Sequence, residues 1–240
     1  MQKIKRSSEL LWLFGTIFVA LGVSLCSKAD LGVSMIAAPA FVISEALLPF
    51  SDFFSVGVTE YIIQGIMLIV LCIVIGRFNW RFLLAFAVAV IYGYTLNLFL
   101  YMIGGLTVNA MWLRWVLLIV GDVFTAFGVA CFFRTYMPLQ VYELFVAQIA
   151  DRFNFKLAKT KCVFDITLLV ISVTLALMLF GDVSSFDFSS IGHSSFHSIG
   201  LGTLVTTAIN SPIIAFMGKL IDRFFEPSPL FPKLENFLKN

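Results

Sequence analysis

Lys28-Ala29-Asp30-Leu31-Gly32-Val33-Ser34 and its later echo, Arg134-Thr135-Tyr136-Met137-Pro138-Leu139-Gln140, decide how this chain is read. Each stretch begins at a basic residue where a long apolar run stops, and each leads into a second apolar segment that is short or interrupted. A hydrocarbon core about 30 Å thick needs about 20 helical residues rising 1.5 Å each. The segments that follow the two stretches therefore read as half-helices or re-entrant hairpins. The stretches themselves read as the hinges of two repeated units, with Lys28, Gly32 and Ser34 in the first and Arg134 and Pro138 in the second.

Composition supports a membrane setting. Of 240 residues, 60% are hydrophobic and only 12% charged, and mean hydropathy is +0.99, against roughly half apolar and about a quarter charged in an ordinary soluble domain. The apolar residues fall in runs of span length rather than in strict alternation, which predicts an all-α membrane protein and argues against a transmembrane barrel. A net charge of +2 leaves no basic face for nucleic acid. Cys26, Cys72, Cys131 and Cys162 show no CxxC pair or metal spacing and read as packing residues. Lys3, Lys5 and Arg6 before an apolar run imitate a signal peptide, but the run is too long and lacks a small-x-small cleavage site, so it reads as a retained first span.

Six spans are expected, at about 10–26, 54–76, 82–103, 111–133, 162–180 and 199–221. The short segments cover 31–50, broken by Gly32 and Pro39, and 138–150. Residues 1–105 form the first unit, 106–226 the second, and 227–240 an amphipathic tail on the membrane surface. A polar loop from Gly181 to Ser198 separates the last two spans. With the N-terminus in the cytoplasm, all Lys and Arg except Lys28 and Arg114 fall on the cytoplasmic side, which is the bias expected of a chain with both termini inside.

The two units match one another at an offset of 106. Phe18, Ala20, Gly22, Val23 and Lys28 fall on Phe124, Ala126, Gly128, Val129 and Arg134, and Gly32 on Pro138. One residue out of step, Glu60 falls on Asp165 and Gly76 on Gly181. Three spans per unit is an odd number, so the second unit enters the membrane from the opposite side. Inverted repeats built around interrupted helices are an architecture of secondary transporters.

The run Phe18-Val-Ala-Leu-Gly-Val-Ser-Leu-Cys-Ser-Lys-Ala-Asp-Leu-Gly-Val-Ser34 resembles the signature of the YitT/YczE-like family of bacterial integral membrane proteins. That resemblance implies six helices in a bacterial plasma membrane and names no transport substrate. Where the family pattern continues with Pro and then an acid, this chain has Met35 and Ala37; the equivalent acid is present only in the second unit, as Glu143.

Ionisable groups at membrane depth are costly and mark candidate sites. Glu143 on the second short segment and Asp122 in the fourth span lead as substrate- or proton-binding groups, followed by Glu60 and Asp165 near the starts of their spans. The bland reading of Asp165 is a salt bridge to Lys161. Asn97 and Asn210 lie within the third spans of the two units, where they can line a pathway or join helices. Tyr92, Tyr94 and Tyr142 can box a cation, and Gln64 and Gln148 add polar lining. His193 and His197 form an HxxxH pair without a third ligand, so no metal site is expected. No nucleophile elbow, P-loop or dinucleotide fingerprint is present, so neither a cofactor nor an enzyme is expected.

Acids outnumbering bases within the spans favour a cationic or zwitterionic solute, or a proton, as the thing bound. The leading expectation is a small secondary transporter, with proton coupling available through its carboxylates. Its competitors are a passive channel for a small neutral solute and a membrane-embedded binding or partner subunit of a larger complex. A homodimer would cover apolar surface, although no stretch specifies it.

Overall fold

The computed structural model describes residues 4–181 and 197–239. Six of its helices are long and apolar enough to cross a membrane: α1 (Ser8–Ala29), α3 (Val56–Ile75), α4 (Arg81–Gly104), α5 (Met111–Phe132), α7 (Leu157–Phe180) and α8 (Leu201–Phe224). Two shorter helices, α2 (Ala38–Leu47) and α6 (Val141–Phe153), follow α1 and α5 respectively. A strand β1 (Ile4–Ser7) pairs in parallel with β2 (Phe225–Ser228), and α9 (Pro232–Lys239) ends the described chain. All six predicted spans are present, with ends displaced by a few residues. The largest displacement is at α7, which starts at Leu157 rather than near 162, because its first turns carry Lys159 and Lys161 and depress the local hydropathy without breaking the helix.

The short segments are shorter as helices than as apolar runs. Residues 31–37 are not helical yet are buried throughout, and only then does α2 begin, with Pro39 in its first turn. Irregular backbone at such depth survives only where protein covers it and supplies its hydrogen bonds. Here the start of α8 does so: Gly202 N–H donates to the Leu31 carbonyl at 2.7 Å, and Val33 N–H donates to the Ser198 carbonyl at 2.9 Å. Gly32 adopts φ +108°, and a Cβ there would lie 2.5 Å from the Gly200 nitrogen, so the turn needs glycine for both conformation and space. The second stretch is tied down near the N-terminus. Trp12 Nε1 donates to the Pro138 carbonyl at 2.9 Å, Tyr136 N–H donates to Ser8 Oγ, and the Tyr136 hydroxyl donates to Glu9. Burial and that bond to Glu9 push the Tyr136 phenol above its ordinary pKa.

The centre of the bundle is the contact between α1 and α5, which run antiparallel. A Cβ on Gly22 would lie 2.5 Å from the Gly121 carbonyl oxygen, and one on Gly128 would lie 2.6 Å from the Gly15 carbonyl oxygen. Small residues let the two backbones approach this closely, and Phe18 stacks edge-on against Phe124 between the two glycine contacts. Around this pair, α4 packs on α1 and α8 on α5, while α2 touches both α3 and α7, and α6 likewise touches α3 and α7. Lys28 closes the end of α1 by donating to the Gly104 carbonyl at the end of α4. Arg134 does the same for α5, through a two-point contact with Asp222 in the last turn of α8 at 2.7 and 2.8 Å.

The outward faces are apolar, with Ile66, Ile69 and Ile73 along α3 exposed, as a lipid-facing surface requires. The predicted surface tail is in part a strand: β2 replaces its beginning, and helix is confined to α9. Most of the polar loop, with His193, lies outside the described residues. His197 lies within them, its Nδ1 2.8 Å from Glu45 Oε1.

Candidate functional site

Five charged side chains are buried among the described residues: Glu60, Asp122, Glu143, Asp165 and Lys161. Four are carboxylic acids. Lys161 meets one of them, its Nζ 2.9 Å from Asp165 Oδ1, one turn along α7, with the two side chains 4% and 1% exposed. Expected at an interface, this salt bridge is in fact enclosed by protein.

Two of the remaining acids, Glu60 and Glu143, converge on a small central cavity. It is lined by Glu60 of α3, Tyr92 of α4, and Glu143 and Tyr142 of the first turn of α6, together with Ser34 and Ile36 from the first non-helical stretch and Gln140 from the second. Val19 and Val23 of α1 and Thr125 and Val129 of α5 complete it. The cavity holds about 10 Å³, the room of about one water molecule. Both short helices aim their N-terminal ends here. Neither has a side-chain cap, but in α2 the first turn is satisfied locally, Ala38 N–H donating to the Ser34 carbonyl and Ala40 N–H to the Ala37 carbonyl while Pro39 carries no N–H, so it is the α6 end whose dipole is open toward the centre. Such an end favours a carboxylate, and Glu143 stands on it.

The lining has a regularity. Val19 and Thr125, Val23 and Val129, Ser34 and Gln140, and Ile36 and Tyr142 are pairs separated by 106 residues, and all eight face the same cavity. The glycine contacts obey the same spacing: Gly15 and Gly121 are 106 apart, as are Gly22 and Gly128, and each member touches the other pair's partner.

Many buried polar atoms have no hydrogen-bond partner among the described residues: Glu60 Oε2, Gln64 Oε1, Glu143 Oε2, the Tyr142 hydroxyl and Asp165 Oδ2 at or beside the centre, and both carboxyl oxygens of Asp122 outside the cavity lining. Gln64 reaches Glu60 Oε1 at 3.5 Å, a long bond one turn away. The Tyr142 hydroxyl lies close to the Glu60 carboxylate without reaching bonding geometry. A buried polar atom without a partner costs about 1–3 kcal/mol, and a charged one more. So many in one place mark a site built for something that supplies protons or positive charge.

Glu60, Glu143, Tyr92, Tyr142, Gln64 and Ser34 therefore come together, and Asp165 joins them through Lys161, whose charge acts on Glu143. Asp122 and Asn210 are buried on α5 and α8, outside the cavity lining. These helices run parallel, with Leu118 against Gly202 and Arg134 against Gly218, so Asn210 lies about one turn beyond the level of Asp122. Both polar atoms of the Asn210 amide lack partners.

The other candidates stand elsewhere. Asn97 pins the start of α3, accepting from Gly57 N–H and donating to Ser55 Oγ, both at 2.9 Å. Tyr94 is 65% exposed on the outer face of α4. Gln148 sits half-buried on α6, away from the central lining. Lys28, Gly32, Arg134 and Pro138 hold the ends and turns described above. Two participants went unread as site residues, Gln140 and Lys161. Gln140 was detectable as the residue 106 positions after Ser34, and Lys161 as the base one turn before Asp165. No group of three or more metal-ligating side chains occurs among the described residues.

Six apolar spans around a buried, acid-rich centre define a multi-pass membrane protein with an internal polar site. The chain belongs to DUF6198, a family of unknown function whose model matches residues 4–219. No curated protein and no solved structure matches it.

Proposed function

We propose that this chain is a small secondary transporter that moves a cationic or zwitterionic small organic solute, exchanging it for protons, by rocking two inverted three-span halves about the Glu60–Glu143 centre. The observation that carries the reading is the charge balance of that centre. With every group ionised, the three buried carboxylates at and beside it, Glu60, Glu143 and Asp165, face one buried ammonium, Lys161, an excess that must be met by bound protons or by a bound cation. A site that alternates between the two is a coupled transporter.

The spacing of 106 residues supports the inverted halves. Contacts exchanged between antiparallel α1 and α5, and a cavity lined by matched pairs, are what a pseudo-twofold axis through the cavity produces. A cavity of about 10 Å³ corresponds to the closed state of such a cycle, and a solute enters when one half tilts away from the other. In this reading the termini face the cytoplasm of a bacterial cell, on the strength of the Lys and Arg distribution. The likeness of residues 18–34 to the YitT/YczE-like proteins belongs to the same proposal.

The test is thermal stabilisation of the detergent-purified protein against metabolites sorted by charge, with Glu143→Gln and Glu60→Gln in parallel. A ligand at one hundred times its Kd adds about 2.7 kcal/mol to the folded state, a shift of a few degrees. Amines or amino acids are expected to stabilise the wild type and to lose that effect in both variants. Stabilisation by neutral solutes alone, or stabilisation that persists in both variants, contradicts the proposal.

A further inference from the structure

A second and larger concavity lies on the lipid-facing side of the bundle, between α3, α6 and α7, with a volume of about 570 Å³. We propose that it binds one anionic phospholipid from the leaflet at the end of the bundle that carries both chain termini.

The groove suits an acyl chain. Its floor is the buried trio Val146, Phe164 and Leu168, and its walls include Val163 and Ile171, which are open to the outside of the bundle. It runs along α7 from Lys156 to Ile171, fifteen residues or about 22 Å at 1.5 Å each. That is longer than one leaflet of a hydrocarbon core about 30 Å thick. Its volume falls in the ordinary range for a site that encloses a small amphiphile.

The mouth determines the headgroup. Lys156, at the cap of α7, and Lys159, in its first turn, line the groove and are exposed. Lysines so placed cover apolar surface with their stems and hold the ammonium groups at the rim. Neither forms a salt bridge among the described residues, whereas Lys161, two residues beyond Lys159, is engaged with Asp165. Thr160 adds a hydroxyl at the rim, and the positive end of the α7 dipole points the same way. An apolar groove between spans with cations at its mouth selects an anionic lipid headgroup over a zwitterionic one.

The occupant would also touch the centre at second hand. Phe164 in the groove floor packs against Tyr142, ring centroids 6.2 Å apart, and Tyr142 lines the central cavity. Lipid in the groove thus braces one wall of that cavity.

Native mass spectrometry of the detergent-purified protein, titrated separately with palmitoyl-oleoyl phosphatidylglycerol, the matching phosphatidylcholine, and oleate, tests this. One phosphatidylglycerol should bind tightly and the phosphatidylcholine more weakly. Each lysine near an anionic headgroup is worth about a fivefold change in binding, so Lys156→Gln with Lys159→Gln should weaken phosphatidylglycerol binding about thirtyfold and leave phosphatidylcholine unchanged. Val163→Trp, which fills the groove from an exposed position, should weaken both. Equal binding of the two phospholipids, selectivity that survives the double lysine variant, or oleate binding as tightly as phosphatidylglycerol would each overturn the assignment.

Discussion

Lys161 and Asp165 show most clearly what a buried charge means in this protein. Removing one partner of an enclosed ion pair strands the other and costs about 3–5 kcal/mol, while replacing both with apolar residues of similar size is close to neutral. Lys161→Ala is therefore expected to destabilise the protein by about that amount in chemical unfolding from detergent, and Lys161→Met with Asp165→Leu by much less. If the two proteins unfold alike, the pair contributes no more than two separate side chains. Glu60 and Glu143 differ from Asp165 in having no such base bonded to them. Their amide variants should fold at least as well as the wild type, and any loss of ligand response in them is then a loss of site chemistry.

The α1–α5 contact makes a prediction at the level of the element. Even an Ala methyl on Gly22 would meet the Thr125 hydroxyl and the Gly121 carbonyl, while one on Gly104 at the end of α4 has nothing within 4 Å. Overpacking costs about 1–3 kcal/mol. Gly22→Ala should lower the midpoint of thermal unfolding by several degrees, and Gly104→Ala should leave it unchanged; equal effects would mean that the helices do not meet where Gly22 faces Gly121. The elements are also where the sequence was most legible. Runs of about 20 apolar residues identify spans because the bilayer imposes the length, and αL glycines at Gly76 and Gly181 close α3 and α7 where their apolar runs stop. The start of α7 was misplaced because Lys159 and Lys161 look like loop residues until Lys161 is seen to be buried. The pairing of β1 with β2 had no signal at all: four residues beside a basic N-terminus and four around Pro227 carry no alternation to read.

At the scale of the whole molecule, the site could be read only in pieces. Glu60 and Glu143 stood out singly because acids in apolar runs are rare, but no local pattern brings together residues 83 positions apart in different halves. Their meeting depends on α6 of one half packing against α3 of the other. The spacing of 106 residues held the missing information: applied to Ser34 it points to Gln140, and applied to Ile36 it points to Tyr142, all of them around one cavity. Asn97 and Tyr94 were equally polar in sequence, yet one is consumed in joining α3 to α4 and the other faces outward. Polarity within a span does not say which way a side chain faces, and α4 has little one-sidedness to reveal it.

The central claim is that one buried centre opens to one side of the membrane or the other, never to both. Side-specific labelling of Ser34→Cys tests it most directly, because Ser34 lines the cavity and is fully buried. The reporter is placed in a background without Cys72 and Cys162, the native cysteines that are not fully buried. In oriented vesicles, a membrane-impermeant thiol reagent is applied from each face in turn, across a range of pH and with each stabilising ligand. The account predicts reciprocal change: conditions that speed labelling from one face slow it from the other, and Glu143→Gln abolishes the response. Labelling that rises and falls together from both faces would describe a channel and contradict it.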